Sequence, residues 1–270
     1  MTPARRSGPI TLAIDIGGTG LKAVTLDAKG TMLIDRLRVR TPYPLPPRRL
    51  ITELRTLVGT DTQFDRVSVG FPGMVRNGRV LTAPHLVLST GPGSKVDPAS
   101  LKAWDHFDLA SALAKAFGKP TRVVNDADLQ GLDVATGKGL EVVITLGTGF
   151  GTAVLNNGQL VPHMEFSQHP LRNGQDYDEQ IGDVALKKVG KKKWNKRVRK
   201  AIAALDAVFE FDHLYIGGGN SRNLKGSLGE RVTVIDTNAG LLGGIRLWDQ
   251  VAHTPVRRTR KRAAPASSRD

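Results

Sequence analysis

The sequence predicts an α/β fold of two lobes with a central cleft, and three observations carry that reading. A strand, a glycine-rich loop and a second strand open the chain at residues 10–26. The same plan returns at residues 142–161, so one hairpin unit is present twice. Around both copies, stretches with apolar residues at helical spacing alternate with short apolar runs, the pattern of helices interleaved with strands. Two halves built on one hairpin unit imply related lobes facing each other across a cleft. The expected halves are residues 1–126 and 127–252. The remainder, 253–270, is basic and poor in apolar residues, so disorder is expected there.

In the first unit Ile10, Leu12, Ala13 and Ile14 lead as a buried strand into Asp15-Ile16-Gly17-Gly18-Thr19-Gly20-Leu21-Lys22. Glycine lets a backbone approach a ligand closely, and successive N–H groups in such a turn form a concave anion site. Asp15 at the mouth could hold a hydrated Mg²⁺, and Lys22 adds a positive charge. The spacing is neither that of a Walker loop nor that of a Rossmann turn. Ala23-Val24-Thr25-Leu26, Asp27-Ala28-Lys29-Gly30 and Thr31-Met32-Leu33-Ile34 read as strand, turn and strand. Taken alone, the loop reads either as a phosphate site or as an ordinary glycine-rich turn.

A proline-rich connector at 40–47 precedes a helix predicted over 50–58 by Leu50, Ile51, Leu54, Leu57 and Val58. Val67-Ser68-Val69-Gly70 reads as a buried strand ending in Phe71-Pro72-Gly73, and 84–103 as a long loop. A helix is expected over 107–117, with Asp108 in its first turn and Gly118 at its end. The strand Thr121-Arg122-Val123-Val124 runs into Asn125-Asp126-Ala127-Asp128. There Asp126 is either a carboxylate base aimed at a nucleophile or the cap of a helix beginning at Ala127. In the second unit Val142-Val143-Ile144-Thr145-Leu146 leads into Gly147-Thr148-Gly149-Phe150-Gly151, then a strand, the turn Asn156-Asn157-Gly158, and Gln159-Leu160-Val161. Residues 178–209 read as helical. Leu214-Tyr215-Ile216 is a strand before Gly217-Gly218-Gly219, 232–235 is another, and Asn238-Ala239-Gly240 opens a final helix through Leu247 and Trp248.

Composition narrows the partners. Of 270 residues 40% are hydrophobic, enough for a sizeable core, and none is cysteine. Disulfides and cysteine-ligated metals are excluded, and a cytoplasmic location is expected. No apolar run approaches the ~20 residues of a membrane helix, and the N-terminus does not read as a signal peptide. The net charge of +14 is unevenly placed: an acid-free run at 187–200 includes Lys191, Lys192, Lys193 and Arg197, and a second block spans 257–262. Such charge suits a polyanion, a nucleic acid or a solvated face. Apart from Trp194 no aromatics interleave with it and no nucleic-acid motif stands out, so a nucleic-acid partner is not expected. The spacing of His163, His169 and His213 supports no zinc site, and polar or loop roles are expected for them.

Together these motifs resemble the ROK family of sugar kinases, within the actin/hexokinase/Hsp70-like (ribonuclease H-like) fold, over residues 10–250. The family's first phosphate motif corresponds to Asp15, Gly17, Gly18, Thr19, Gly20 and Lys22, its second to Gly147, Thr148 and Gly149, and its donor-side turn to Gly217, Gly218 and Gly219. The resemblance implies Asp126 as the base, and Asn125, Glu165, His169 and Gly73 on the sugar side. The family's Glu-x-Gly-His segment reads here Glu165-Phe166-Ser167-Gln168-His169, with Gln168 in the histidine's place. The chain looks most like the short polyphosphate-glucokinase-like members, which lack the zinc module. Ile10 already starts the kinase lobe, which argues against the family's helix-turn-helix repressors.

The implied reaction is transfer of a phosphoryl group from polyphosphate or ATP, with Mg²⁺ and without zinc, to the 6-hydroxyl of glucose or a related hexose. The expected partners are that hexose, a polyanionic donor held partly by Lys191, Lys192 and Lys193, and a second copy of the chain, with no membrane. The readings in competition are a weakly catalytic, sugar-responsive binding protein of the same fold and a strictly ATP-dependent hexokinase.

Overall fold

The computed structural model describes residues 8–235 and 243–251. In chain order the strands are β1 (Thr11–Ile16), β2 (Gly20–Leu26), β3 (Leu37–Arg40), β4 (Arg66–Phe71), β5 (Val75–Arg76), β6 (Arg79–Val80), β7 (Thr121–Asn125), β8 (Leu140–Leu146), β9 (Phe150–Asn156), β10 (Gln159–Leu160), β11 (Pro170–Arg172), β12 (Gln175–Asp176), β13 (His213–Gly217) and β14 (Val232–Val234). The helices are α1 (Pro47–Val58), α2 (Pro98–Trp104), α3 (Leu109–Phe117), α4 (Asp126–Val134), α5 (Tyr177–Ile181), α6 (Asp183–Phe209) and α7 (Gly243–Arg246).

Two five-stranded sheets share one topology, in the orders β3-β2-β1-β4-β7 and β10-β9-β8-β13-β14. In each, a hairpin is extended by parallel strands: β1 pairs antiparallel with β2 and parallel with β4, as β8 does with β9 and β13. The central strands are apolar on both faces because helices cover them. Leu50 and Leu54 of α1, Trp104 of α2 and Leu113 of α3 pack on Leu12, Ile14, Val67 and Val69. Trp194, Val198 and Leu205 of α6 pack on Val142, Ile144, Leu214 and Ile216. Truncating one such side chain, as in Leu54→Ala, removes about 2–5 kcal/mol.

Helix α4 lies between the sheets. Its Leu129 and Leu132 join Val143, Ala153, Leu155 and Tyr215 of the second sheet in a third cluster. On the other side Gly70 of β4 comes so close that a methyl there would lie 3.4 Å from Asp126 Cα. A methyl at Gly131 would lie 2.9 Å from that of Ala153, and one at Gly244 of α7 would lie 3.0 Å from that of Ala13. The last helix therefore returns to the first sheet.

The structure differs from the sequence reading in four places. The third strand is Leu37–Arg40, not 31–34. Asp27 Oδ1 accepts from the N–H groups of Lys29 and Thr31, and this turn leaves Met32 and Leu33 half exposed with only an isolated bridge to Leu26. The stretch 84–103 contains α2, which starts at an Asp97 cap accepting from Ser100 N, with Pro98 at its first position. The helix expected over 107–117 starts only at Leu109, because Asp108 is its cap and accepts from Ser111 N. The helical stretch 178–209 is broken at Gly182 and kinks at Gly190, where φ is 73°. The start expected for the final helix at Asn238-Ala239-Gly240 and the tail 253–270 lie outside the described residues.

Candidate active site

The first glycine loop joins β1 to β2. Gly17 N donates to Gly20 O at 3.0 Å, while Thr41 Oγ1 donates to Gly17 O at 2.6 Å and Tyr43 OH to Gly18 O at 2.5 Å. A trans peptide points its N–H opposite its C=O. With these two carbonyls tied to the 41–43 segment, the N–H groups of Gly18 and Thr19 face away from it. Asp15 and Lys22 are register partners, and Lys22 Nζ lies 2.8 Å from Asp15 Oδ2.

The second loop, Gly147-Thr148-Gly149, joins β8 to β9 in the same way. Asn220 Nδ2 donates to Gly147 O at 3.0 Å, and Asp183 N, at the start of α6, donates to Thr148 O at 3.2 Å. The Gly217-Gly218-Gly219 turn seats directly against this loop. Gly218 has φ 88°, and a methyl there would fall 2.2 Å from Leu146 O, so only glycine fits. The turn and the loop are thus one assembly.

Between the loops stands the first turn of α4. Asn125 is its cap: Oδ1 accepts from Ala127 N at 2.7 Å, and Nδ2 donates to Gly73 O at 3.0 Å. Asp126 follows as the first helical residue and accepts from Ala127 N at 2.9 Å. Burial, with the charges of Asp15 and Glu165 added, pushes its carboxyl up to about 7, against the pull of that hydrogen bond and of His163. Glu165 behaves oppositely. Burial raises it, but the facing His163 ring and the hydrogen bond from Ser167 prevail and hold it below the usual value; Ser167 Oγ donates at 2.6 Å. One carboxyl therefore titrates near neutrality beside another that stays ionised, the arrangement that separates acid–base roles.

Asp15, Asn125, Asp126, Glu165 and Gly73 meet in this region. His169 and Gln168 stand exposed; the His169 ring lies against Phe166 and Tyr177, with centroids 6.2 and 6.3 Å away. Lys191, Lys192 and Lys193 are exposed on α6 just past its kink, whereas Arg197 is half-buried and donates to Gln180 O at 3.0 Å.

Sequence reasoning missed four groups here. Asp178 accepts from Phe150 N at 2.6 Å and is pushed by burial up to about 6. The protein around His85, which neighbours Gly18, draws its imidazole below the usual value, and Glu165 partly offsets this. Asp128 is buried against His163 at 3.1 Å. Arg38, the register partner of Lys22, brings its guanidinium against Gly20. Each lies far in sequence from the group it meets, so no local motif marks it; only the Asp128 position, inside Asn-Asp-Ala-Asp, carried a signal.

The donor set suits a hydrated Mg²⁺: a partly exposed carboxylate beside a loop whose Gly18 and Thr19 amides turn away from the 41–43 segment, with hard oxygen ligands and no soft one. Among the described residues no group of three or more His, Asp or Glu side chains could hold a metal on its own, so phosphate oxygens and water would complete the shell.

The ROK family model matches residues 11–164, more than half of the chain. The chain belongs to the ROK family. A polyphosphate glucokinase of Mycobacterium tuberculosis is 30% identical over 231 residues, 82% of this chain and 82% of that protein. An inorganic polyphosphate/ATP-glucomannokinase of Arthrobacter superposes with a TM-score of 0.72 at 28% identity, covering 89% of this chain and 98% of the other. A ROK family glucokinase of Streptomyces griseus, solved with glucose and AMPPNP, gives 0.66 at 19% identity over 88% and 98%. The fold is the two-lobed actin/hexokinase-like fold of the ROK sugar kinases. Among the described residues no helix is long and apolar enough to cross a membrane.

Proposed function

We propose that this ROK protein is a hexose kinase that moves a phosphoryl group from polyphosphate, ATP or both to the 6-hydroxyl of glucose or a close relative. The observation that carries the reading is Asp126: a carboxyl poised near pKa 7, at the junction of both sheets, with Asp15 and the ionised Glu165 as charged neighbours. The polyphosphate glucokinase and glucomannokinase relatives support the choice of donor and sugar.

Phosphoryl transfer has a loose transition state, so positioning and charge stabilisation carry most of the catalysis. Glu165 accepts hydrogen bonds from sugar hydroxyls. Asn125 and Gly73, tied to each other, shape the wall that orients the ring, and His169 borders the sugar side. Asp126 takes the proton of the attacking hydroxyl. The amides of Gly18 and Thr19, in a turn closed between Gly17 and Gly20, and those of Thr148 and Gly149, in a turn closed at Gly147 and braced by Gly217, Gly218 and Gly219, cradle donor oxygens, with Lys22 adding charge. Asp15 would hold Mg²⁺ through water, and the bound ion would neutralise phosphate charge. We assign residues 1–126 and 127–252 to the two lobes, with α7 of the second returning to the first sheet.

Helix α6 starts on Thr148 O, and past its kink at Gly190 the exposed Lys191, Lys192 and Lys193 open a second, basic helical segment. That geometry suits a donor longer than a nucleotide triphosphate. The test is a coupled assay of glucose 6-phosphate formation with ATP and with polyphosphate as sole donor. Turnover with polyphosphate supports the reading, turnover with ATP alone leaves an ATP-dependent hexokinase, and turnover with neither rejects it.

A further inference from the structure

The roles above leave one group at the site unexplained, a buried imidazole. His163 follows β10 and precedes Glu165 by two residues. Its side chain is 3% exposed. Nδ1 lies 3.1 Å from Asp128 Oδ1, and Asp128 is itself buried. Nε2 lies 3.8 Å from Glu165 Oε2, on the opposite edge of the ring. The backbone is fixed as well, because His163 O accepts from the Arg76 guanidinium at 2.9 Å. Nε2 is closed to solvent and has no hydrogen-bond partner at this distance.

A neutral imidazole has one donor and one acceptor nitrogen, whereas the imidazolium donates from both. Burial pushes the Asp128 carboxyl up and the His163 contact pulls it back, while Glu165 is held low; with both carboxyls ionised, the imidazolium is the form that makes a favourable contact on each side. Burial alone would draw His163 down, but the Asp128 hydrogen bond and the acidic groups of Asp128 and Glu165 prevail and hold it up to about 9. The charged groups facing it are Asp128, Glu165 and, further off, Asp126; Arg76 meets only its carbonyl.

We infer that His163 is the positioning residue of Glu165: an imidazolium anchored on Asp128 that aims the Glu165 carboxylate at the hexose. It supplies from behind the orientation that the exposed Gln168 does not supply from the segment after Glu165. Nε2 is too enclosed to meet the sugar, so the effect passes through Glu165. Ser167 holds one oxygen of that carboxylate and His163 faces the other, leaving two restrained acceptors. The inference rests on the hexose-kinase reading for its consequence but not for its geometry.

Two substitutions separate the edges of the ring. His163→Asn keeps a donor near the Nδ1 position and removes Nε2; His163→Gln keeps a donor near Nε2 and releases Asp128. His163→Asn is expected to raise the hexose KM about tenfold or more, the scale of a charge-assisted contact, with the donor KM unchanged. His163→Gln should recover part of that loss. In a Glu165→Gln background His163→Asn should add nothing further, because both changes remove one function. An unchanged hexose KM, or additive losses in the double variant, would overturn the inference. Independently of activity, ¹⁵N imidazole resonances of the full chain should show His163 doubly protonated at pH 7.5, and Glu165→Gln should lower its titration midpoint by about one unit or more. A neutral ring, or a midpoint indifferent to Glu165, overturns the inference even if the protein is a hexose kinase. An imidazolium coupled to Glu165 in a protein without hexose kinase activity would instead sustain the clamp and discard the proposed function.

Discussion

The two glycine hairpins have the same topology but opposite chemistry. In the first, the positions flanking the loop are Asp15 and Lys22, a charge pair at 2.8 Å. In the second, the same register positions are Thr145 and Gly151, with no charge. The first loop meets Arg38 from its edge strand; the second is held by Asn220, by the start of α6 and by the Asp178 carboxyl on Phe150 N. Internal repetition thus preserves a backbone cradle while side chains diverge. The first copy concentrates charge beside Asp126, and the second presents backbone dipoles. Phosphate binding by amides needs only the cradle, whereas managing a metal and a proton needs titratable groups.

Four experiments would break or sharpen this contrast. The largest effect is expected at the charged copy: Asp15→Ala, or EDTA with the unaltered protein, should abolish detectable transfer, and full activity in EDTA would remove Mg²⁺ from the scheme. Next, Asp126→Asn should lower kcat by about two orders of magnitude while the fold persists. The parent's rate should rise with pH through about 7 as Asp126 ionises, and that limb should vanish in the variant. A variant with near-normal kcat and the same limb would exclude Asp126 as the base.

At the neutral copy the effects should be smaller and donor-specific. Replacing Lys191, Lys192 and Lys193 together by Gln should raise the polyphosphate KM several-fold and flatten its salt dependence, with a lesser change for ATP. Equal changes for both donors would make the cluster a general electrostatic feature. Arg197 is best left intact, because its bond to Gln180 O is structural.

The smallest effect is on stability. Asp178 has its carboxyl raised to about 6 from the ordinary 3.8, so its ionised form burdens the fold progressively as pH rises from about 4 through 6. Asp178→Asn removes that charge and keeps an acceptor for Phe150 N. Thermal melts should show a gain of about 2–4 °C at pH 8 and none at pH 4. A gain independent of pH would mean the carboxylate is not strained there.

Much of this plan was legible in the chain itself. Both hairpins and their loops follow from apolar runs interrupted by glycine, and that pattern is local; at 125–127 the sequence offered a helix from Ala127 capped by Asp126 as one alternative, whereas Asn125 is the cap and Asp126 the first helical residue. Strand β3 was misplaced because 31–34 is apolar enough to pair; the Asp27 turn that leaves Met32 and Leu33 exposed competes with propensity through four hydrogen bonds whose geometry no pattern encodes. Helix α2 did carry its signal, Asp97 before Pro98, but it lay hidden in a stretch rich in glycine and serine. The site divided along the same line. Asp15, Asp126 and the glycines sit in motifs. Asp128 meets His163 across 35 residues and Phe150 meets Asp178 across 28, and such meetings depend on how the sheets stack.

The small residues around α4 bear on how such a molecule opens. Gly70, Gly131, Gly244, Ala13 and Ala153 make the contacts between that helix, α7 and the two sheets. In this seam these positions bring the backbones close, while Leu129 and Leu132 beside them interlock with Val143, Leu155 and Tyr215. Asp126 sits at the first residue of α4, so any relative travel of the sheets would shift it against both loops at once. Roughening the seam, as with Gly131→Val, would act as a brake on that travel without touching a ligand.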